Sequence, residues 1–145
     1  MSEDNDVVNR KRKIAVAFDA SQTGSGQKPF TINPDFIRIA NRLADIVLNL
    51  TTVNGGGLQA TFDEANPVQW YQDGKPIGRP IAFSDPKLDN GDLRLKFSDV
   101  NNTTQEMEYG FTVTVDYNGQ TYTSPDPTIL NLPPTLQPSP SLQSA

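Results

Sequence analysis

The sequence predicts an all-β fold in which antiparallel strands form one domain. Apolar and polar residues alternate with a period of two in four segments, which is the pattern of strands that bury one face. Pairs of Asn or Asp followed by Gly stand between such segments and are typical of tight hairpin turns. The chain has 145 residues and a hydrophobic content of 35%, which fits one thin, two-layer domain.

The alternating segments give the predicted strands in order along the chain. They cover residues 14–18, 46–50, 93–97 and 107–117, and the last of these is the longest. Each segment places Ile, Leu, Val, Phe, Met or Tyr at every second position, with polar, charged or small residues at most of the positions between them. We therefore expect each strand to turn one side to a core and the other to water.

The segment 33–50 fits two structures. Asn33 as an N-cap, Pro34 at the first helical position and apolar residues at helical spacing favour an amphipathic helix. However, residues 36–39 also alternate, and residues 45–52 follow period two more closely than a helical period. We expect two short strands with a turn near residues 40–43, because a lone helix fits poorly among antiparallel strands.

Four dipeptides predict hairpin turns between the strands. They are Asn54-Gly55, Asp73-Gly74, Asn90-Gly91 and Asn118-Gly119. The tight turns that join antiparallel strands need positive φ angles, which Gly adopts freely and which Asn and Asp adopt more readily than other residues.

The stretch "VQWYQDGKPIG" at residues 68–78 contains the single Trp of the chain, Trp70. Trp70 is either a residue that fills the core or an exposed platform for stacking a ligand. The spacing resembles an immunoglobulin-like sandwich, in which a Trp packs between the sheets. Phe111 then stands where antibody domains place a Cys, and Leu48 or Leu50 completes the centre. The resemblance implies a disulfide-free antiparallel β-sandwich of about seven strands.

The C-terminal part of the chain also resembles a known group of proteins. "LRLKFSDVNN", the long alternating strand and "SPDPTILN" are similar to the DP-EP family of small bacterial domains of unknown function. Asp126-Pro127 matches the first dipeptide of that family, whereas Leu132-Pro133 stands where Glu-Pro is expected. The resemblance implies an immunoglobulin-like β-sandwich, with no known activity and no functional residues.

Composition divides the chain into three parts. We expect a charged, disordered segment at residues 1–12, the β-sandwich at 13–131, and a disordered tail rich in Pro and Ser at 132–145. The N-terminal residues lack the apolar region of a secretory signal, and no apolar run approaches the length that crosses a membrane. These features predict a cytoplasmic protein that does not enter a membrane.

Charge and composition narrow the range of functions. The net charge of −5 argues against a nucleic-acid partner, and the basic run "RKRK" follows three acidic residues that balance it. The chain has no Cys and no His, so the common metal ligands and the common nucleophile and base pairs are absent. We expect no cofactor.

Carboxylates are the remaining candidates for chemistry. Asp63 with Glu64, the acids of "DPKLDNGD" at residues 85–92, and Asp99 could supply an acid and base pair of a hydrolase. The segment 85–92 also offers oxygen ligands for calcium, although it lacks the spacing of an EF-hand. Most of these acids fall in predicted turns, where they remain solvated.

Three tyrosines, Tyr71, Tyr117 and Tyr122, are the candidate ligand residues, because exposed aromatic rings can stack on sugars. The sequence favours a non-catalytic interaction module that binds a protein partner or another copy of itself. A carbohydrate-binding or calcium-dependent domain is the first alternative. A hydrolase that uses only carboxylates is the weaker one.

Overall fold

The computed structural model describes residues 3–4, 9–125 and 127–134, and these residues form an all-β protein. They contain thirteen strands in two sheets and a 3₁₀ turn at Ala20–Gln22. The strands are β1 (Glu3–Asp4), β2 (Lys11–Asp19), β3 (Phe30–Asn33), β4 (Phe36–Ile39), β5 (Leu43–Val53), β6 (Thr61–Phe62), β7 (Val68–Gln72), β8 (Lys75–Ile77), β9 (Lys87–Asp89), β10 (Arg94–Val100), β11 (Met107–Tyr117), β12 (Gln120–Thr123) and β13 (Thr128–Asn131).

The first sheet is organised around β11. Its strand order is β1-β4-β13-β11-β7-β8, and β6 and β12 also pair with β11. The first half of β11 is flanked by β13 and β7, and the second half by β12 and β6. One strand of eleven residues therefore holds four partners in place.

The second sheet has the order β3-β2-β5-β10-β9. Its centre is the pair β2 and β5, which run parallel over nine residue pairs from Lys11↔Asp45 to Asp19↔Val53. β10 pairs with the other side of β5 in the antiparallel direction. Residues 82–84 run beside the end of β10 and extend the sheet. Backbone hydrogen bonds donated by Ser84 and Val100 join this segment to β10.

The expectation of a purely antiparallel sandwich of about seven strands needs correction. Three pairs, β1–β4, β4–β13 and β2–β5, are parallel, and the described residues form thirteen strands, several of them two to four residues long. The reason is the path of the chain, which leaves the second sheet after β3, forms β4 in the first sheet and returns as β5. Period-two alternation is the same in parallel and antiparallel strands, so it does not reveal this path.

The segment 33–50 forms strands, which confirms the two-strand interpretation over the helix. β4 ends at Ile39 and β5 begins at Leu43, so the turn falls at residues 40–42. Inward residues of β5 such as Ala44, Ile46 and Leu48 are completely buried.

Three of the four predicted hairpin turns are confirmed. Asp73, Asn90 and Asn118 have positive φ angles, as do the glycines that follow them, and each pair lies between antiparallel strands. The hairpin prediction at Asn54-Gly55 is wrong, because after β5 the chain passes to β6 in the other sheet. Here Leu58 N donates to Gly55 O at 3.1 Å, and a Cβ at Gly55 would collide with the Leu58 carbonyl oxygen.

The core lies between the two sheets, and Trp70 fills part of it. Trp70 is 3% exposed, stacks on Phe83 with ring centroids 4.4 Å apart and contacts Phe97 edge-on at 5.3 Å. Phe111, Leu48 and Leu50 are buried as well, so the predicted centre of the domain is confirmed. Trp70 is therefore a core residue and not a stacking platform.

The ordered domain extends slightly past the boundaries expected from composition. β2 begins at Lys11, Arg12 is buried with its guanidinium donating to Arg38 O at 2.7 Å, and Leu132 N donates to Ile39 O. The predicted tail from residue 135 onwards and most of residues 1–8 lie outside the described residues. The described part of the chain contains no helix long and apolar enough to cross a membrane.

Candidate functional site

The outer side of the second sheet gathers five cationic side chains on three strands, and we call it the basic face. The strands β2, β9 and β10 supply Lys11, Lys13, Lys87, Arg94 and Lys96. The inward residues between them, including Ile14, Leu95 and Phe97, are buried in the core. Because successive strand residues point to opposite sides, burial of those residues turns the cations outward.

The strand register aligns three of these lysines in one row across the sheet. Lys13 is paired with Val47, Val47 with Lys96, and Lys96 with Lys87. All three lysines are exposed, whereas Val47 is half-buried between them. A neighbouring row places Arg94 beside Asn49, and another places Lys11 beside Asp45.

Two acidic residues partly balance the basic face. Asp89 accepts from Arg94 Nε at 2.6 Å and from Lys96 Nζ at 2.7 Å, and these two contacts lower the pKa of its carboxyl. Asp45 lies 3.3 Å from Arg10 Nε and accepts from Ser98 Oγ at 3.2 Å. Among the described residues, Lys11, Lys13 and Lys87 have no ion-pair partner within 4.0 Å.

A shallow groove of about 700 Å³ runs over the basic face. Its walls include Lys11, Lys13, Lys87 and Lys96, and Ser84 and Asn49 add uncharged hydrogen-bonding groups. The groove offers ammonium donors around a half-buried apolar strip at Val47. Such a surface suits an extended anionic partner, since carboxylates or phosphates can each meet a separate cation.

Sequence reasoning missed this face because it relied on the net charge. The cations come from residues 11–13 and 87–96, which are far apart in the chain and are interrupted by acids. Only the pairing of β2 with β5 and of β5 with β10 brings them together. The alternation of Arg94 and Lys96 with buried Leu95 and Phe97 was the available signal, since it predicts that both cations share one face.

The three candidate tyrosines do not form one patch. Tyr117 and Tyr122 are half-buried on the core side of the first sheet, where their rings lie 5.3 and 5.2 Å from that of Phe18. Tyr71 follows the inward Trp70 and is paired with Gly110, so it lies on the opposite side of the same sheet. A ligand role for any of them stays a prediction.

The acidic residues proposed for calcium binding have other partners or positions. Asp89 is engaged by Arg94 and Lys96, and Asp92 has a positive φ of 64° in the turn after Asn90-Gly91. Within residues 3–4, 9–125 and 127–134, no group of three or more acidic side chains is arranged to hold a metal ion.

Two acids have environments that favour their neutral forms. Asp99 is completely buried, and this burial raises its pKa to about 7 despite a hydrogen bond from Asn131. Burial, and to a smaller extent the nearby Asp63 carboxyl, raises the pKa of Asp116. Asp63 Oδ1 in turn accepts from the backbone of Ala65 at 2.8 Å and of Asn66 at 3.2 Å. Sequence reasoning named Asp99 but gave no reason to expect that it is buried.

Comparison with other proteins adds no functional residue to this description. The chain matches no model of a known protein family and no curated protein, so its function is inferred from its own residues.

Proposed function

We propose that this protein is a non-catalytic β-sandwich module that binds an acidic protein partner through the basic face. The observation that carries the proposal is the row Lys13, Lys96 and Lys87. Like charges directly opposite each other destabilise a sheet, and Lys96 is paired directly with Lys87. Two like charges that destabilise the free protein contribute favourably to binding when a partner supplies the opposite charge.

The distribution of charge favours a partner of different sequence over a second copy. The chain carries 17 acidic and 12 basic residues, and among the described residues Asp45 and Asp89 are the only acids found on the basic face, so most of the described acidic residues lie elsewhere. Contact between the basic face of one copy and an acidic surface of another would be heterologous, and such contacts form open chains unless the rotation closes. A separate acidic protein avoids that outcome.

The sheet edges offer little for association of two copies by strand pairing. β3 has four residues, β9 has three, and β8 has three with Pro76 at its centre. Short edge strands and proline limit pairing with another chain. The broad face is therefore the better contact surface.

We also infer that the sandwich is of the immunoglobulin-like type and that the resemblance to the DP-EP family reflects this architecture. Trp70 packed between two sheets against Phe111 supports the inference, as does β11 flanked by β7 and β12. A cytoplasmic location and a bacterial origin remain proposals of the same kind.

The proposal is tested by titrating the protein with poly-L-glutamate and with a single-stranded oligonucleotide of equal charge. The variant Lys13→Glu/Lys87→Glu reverses two unpaired cations of the basic face, and Lys28→Glu/Lys75→Glu reverses two exposed cations elsewhere. We expect the first variant to weaken poly-L-glutamate binding by about tenfold or more and the second to have little effect. Added salt should weaken binding to the wild type.

Equal losses in the two double variants would contradict the proposal, because they would show that only net charge matters. Tighter binding of the oligonucleotide than of poly-L-glutamate would also contradict it and would identify the face as a nucleic-acid surface.

A further inference from the structure

A second cavity lies at the side of the sandwich, next to the basic face, and we call it the side cleft. It has a volume of about 620 Å³, and its walls come from β7 and β8 of the first sheet, from β9 of the second sheet and from the loop 64–67. β8 and β9 are edge strands of their sheets. The side cleft is therefore a place where the sandwich is open between its two sheets.

The floor of the side cleft is formed by core residues that are only partly covered. Val68, Ile77 and Leu88 line the cleft. Each of them is paired with a buried core residue of the neighbouring strand, so all three point inward. They pack against the core but are only half-buried. The side cleft therefore leaves part of the apolar core surface in contact with water.

Charged side chains of both signs surround this apolar floor. Among the described residues, Glu64, Asp85 and Asp92 are the acidic groups of the cleft, and Arg79 and Lys87 are the basic ones. Their charges largely offset each other, so the rim gives little preference for an ion of either sign. The apolar floor is then the feature that selects the side chain the cleft can bind.

The residue Lys87 connects the side cleft to the basic face, because it lines both the cleft and the groove over that face. Successive residues of a strand point to opposite sides of the sheet. Lys87 and Asp89 therefore lie on the outer side of β9, whereas Leu88 between them points to the cleft. A chain that lies on the basic face needs to pass around only this one edge strand to reach the apolar floor.

We propose that the acidic partner of the basic face carries a large apolar side chain that fills the side cleft. The inference rests on the proposed function, because the acidic part of the partner occupies the basic face. The apolar side chain packs against Val68, Ile77 and Leu88 and removes their exposed surface from water. This contact adds affinity that salt does not screen.

The two surfaces have complementary roles in such an interface. Complementary charges raise the rate of association and fix the orientation of the partner. Most of the affinity of a protein interface comes from a few side chains that fill pockets and lose their contact with water. The basic face supplies the first property, and the side cleft is an adjoining pocket that supplies the second.

Three synthetic peptides test the proposal. Each has blocked ends, four glutamates, a Gly-Gly-Gly spacer and one last residue, which is Leu, Ala or Arg, and each is prepared in both sequence orders. The spacer spans about 10 Å, which is comparable with the distance between two packed sheets. We expect the Leu peptide to bind about tenfold or more tightly than the Ala peptide in calorimetric titrations.

The fluorescence of Trp70 provides a second readout in the unmodified protein. Trp70 is the single Trp of the chain and lines the side cleft, and the peptides contain no Trp. We expect the Leu peptide to shift the emission of Trp70, because its side chain displaces water from the cleft. The Ala peptide, at equal occupancy, should leave the emission nearly unchanged, since its glutamates lie on the outer side of the second sheet.

Two double variants test the residues of the floor. Ile77→Thr/Leu88→Thr makes the floor polar and uses a residue that suits strands, and folding is checked by circular dichroism. This variant should lose most of the preference for the Leu peptide and keep its affinity for the Ala peptide. The control Leu58→Thr/Ile81→Thr changes two exposed aliphatic residues outside the cleft and should keep both affinities.

The outcomes separate this inference from the proposed function. Equal affinities for the Leu and Ala peptides, with no response of Trp70 to the Leu peptide, would overturn the inference and leave the proposed function standing. Binding of neither peptide would overturn both. Tighter binding of the Arg peptide than of the Leu peptide would also overturn the inference, because it would show that the acidic groups of the rim select a cation.

Discussion

Trp70 and Phe111 lie directly opposite each other on β7 and β11, with their ring centroids 5.5 Å apart. Trp70 also contacts Phe83 and Phe97, which come from the segment before β9 and from β10 in the second sheet. One indole ring therefore connects the two sheets at the centre of the core. Removing it would leave a cavity that several rigid aromatic neighbours cannot easily close.

We expect Trp70→Ala to lower the free energy of unfolding by about 3–5 kcal/mol, measured by chemical denaturation. Tyr71→Ala is the matched control, because Tyr71 is the next residue on the same strand and lies on the outer side of the sheet. The control should lose clearly less stability. Similar losses at the two positions would show that the indole does not carry the core contacts described here.

The stability of the protein should depend on pH through Asp99. The pKa of this carboxyl rises from 3.8 to about 7 on folding because the group is buried. Between these values the folded protein keeps the proton and the unfolded chain has lost it, so stability falls as the pH rises. The full effect is up to about 4 kcal/mol, present below pH 4 and lost by pH 7.

The Asp99→Asn variant isolates this contribution. Its free energy of unfolding, measured by denaturation at several pH values, should change less between pH 4 and pH 7 than that of the wild type. Identical pH profiles would mean that Asp99 is ionised in the folded protein throughout this range.

Lys87 should weaken the sheet in which it lies. It is paired with Lys96, and among the described residues it has no ion-pair partner. We expect Lys87→Thr to raise the free energy of unfolding by about 0.2–1 kcal/mol, with a larger gain at low salt. Lys75→Thr, at an exposed position of β8, is the control. A loss of stability on replacing Lys87 would mean that Lys96 is fully neutralised by Asp89.

Gly119 should resist substitution more than Gly78. Gly119 has a φ of 79° and Asn118 one of 50° in the two-residue turn between β11 and β12. A side chain at Gly119 is strained in that conformation, so Gly119→Ala should lower the free energy of unfolding by about 1 kcal/mol or more. Gly78 has no positive φ and has open space at its Cβ position, so Gly78→Ala should have little effect in the same denaturation assay.

Asn101 should stabilise the end of the sandwich where β4 and β13 end. Its side-chain amide donates to Ile39 O at 3.1 Å and to Leu132 O at 2.7 Å, and the residue is completely buried. Asn101→Ala should lower the free energy of unfolding by about 1–3 kcal/mol, because Leu132 O loses its side-chain donor and Ile39 O keeps only the bond from Leu132 N. Asn102→Ala, at the exposed neighbour, should be nearly neutral in thermal unfolding.

Patterns along a single strand were sufficient for much of the fold. Alternation from Met107 to Tyr117 predicted β11 over its full eleven residues, and the pairs at Asp73, Asn90 and Asn118 predicted three turns, because both signals depend only on neighbouring residues. Strand order and direction depend on which segments meet, and nothing in the alternation of residues 14–18 indicates a parallel partner at 46–50. The hairpin prediction at Asn54-Gly55 was wrong for the same reason, since a local pair of residues does not show which strand follows.

The candidate sites could not be predicted from the sequence for a related reason. Asp99 lies on the inward side of β10 with Leu95 and Phe97, but it stands two residues beyond the predicted strand 93–97, so the sequence did not place it in the core. Its pairing with Asn131 depends on β13 crossing above that position, and no local pattern reports it. The basic face likewise depends on the register of three strands. The net charge of the whole chain is negative, so it does not indicate a local cluster of cations.

The position of β11 in the chain affects when the protein can fold during its synthesis. This strand holds β6, β7, β12 and β13 together, and β13 in turn pairs with β4, which lies about ninety residues earlier. A ribosome must therefore complete nearly the whole domain before the first sheet can close. Until then, the apolar sides of β2 and β5 have no opposing sheet, so nascent chains should depend on chaperones or on rapid synthesis to avoid aggregation.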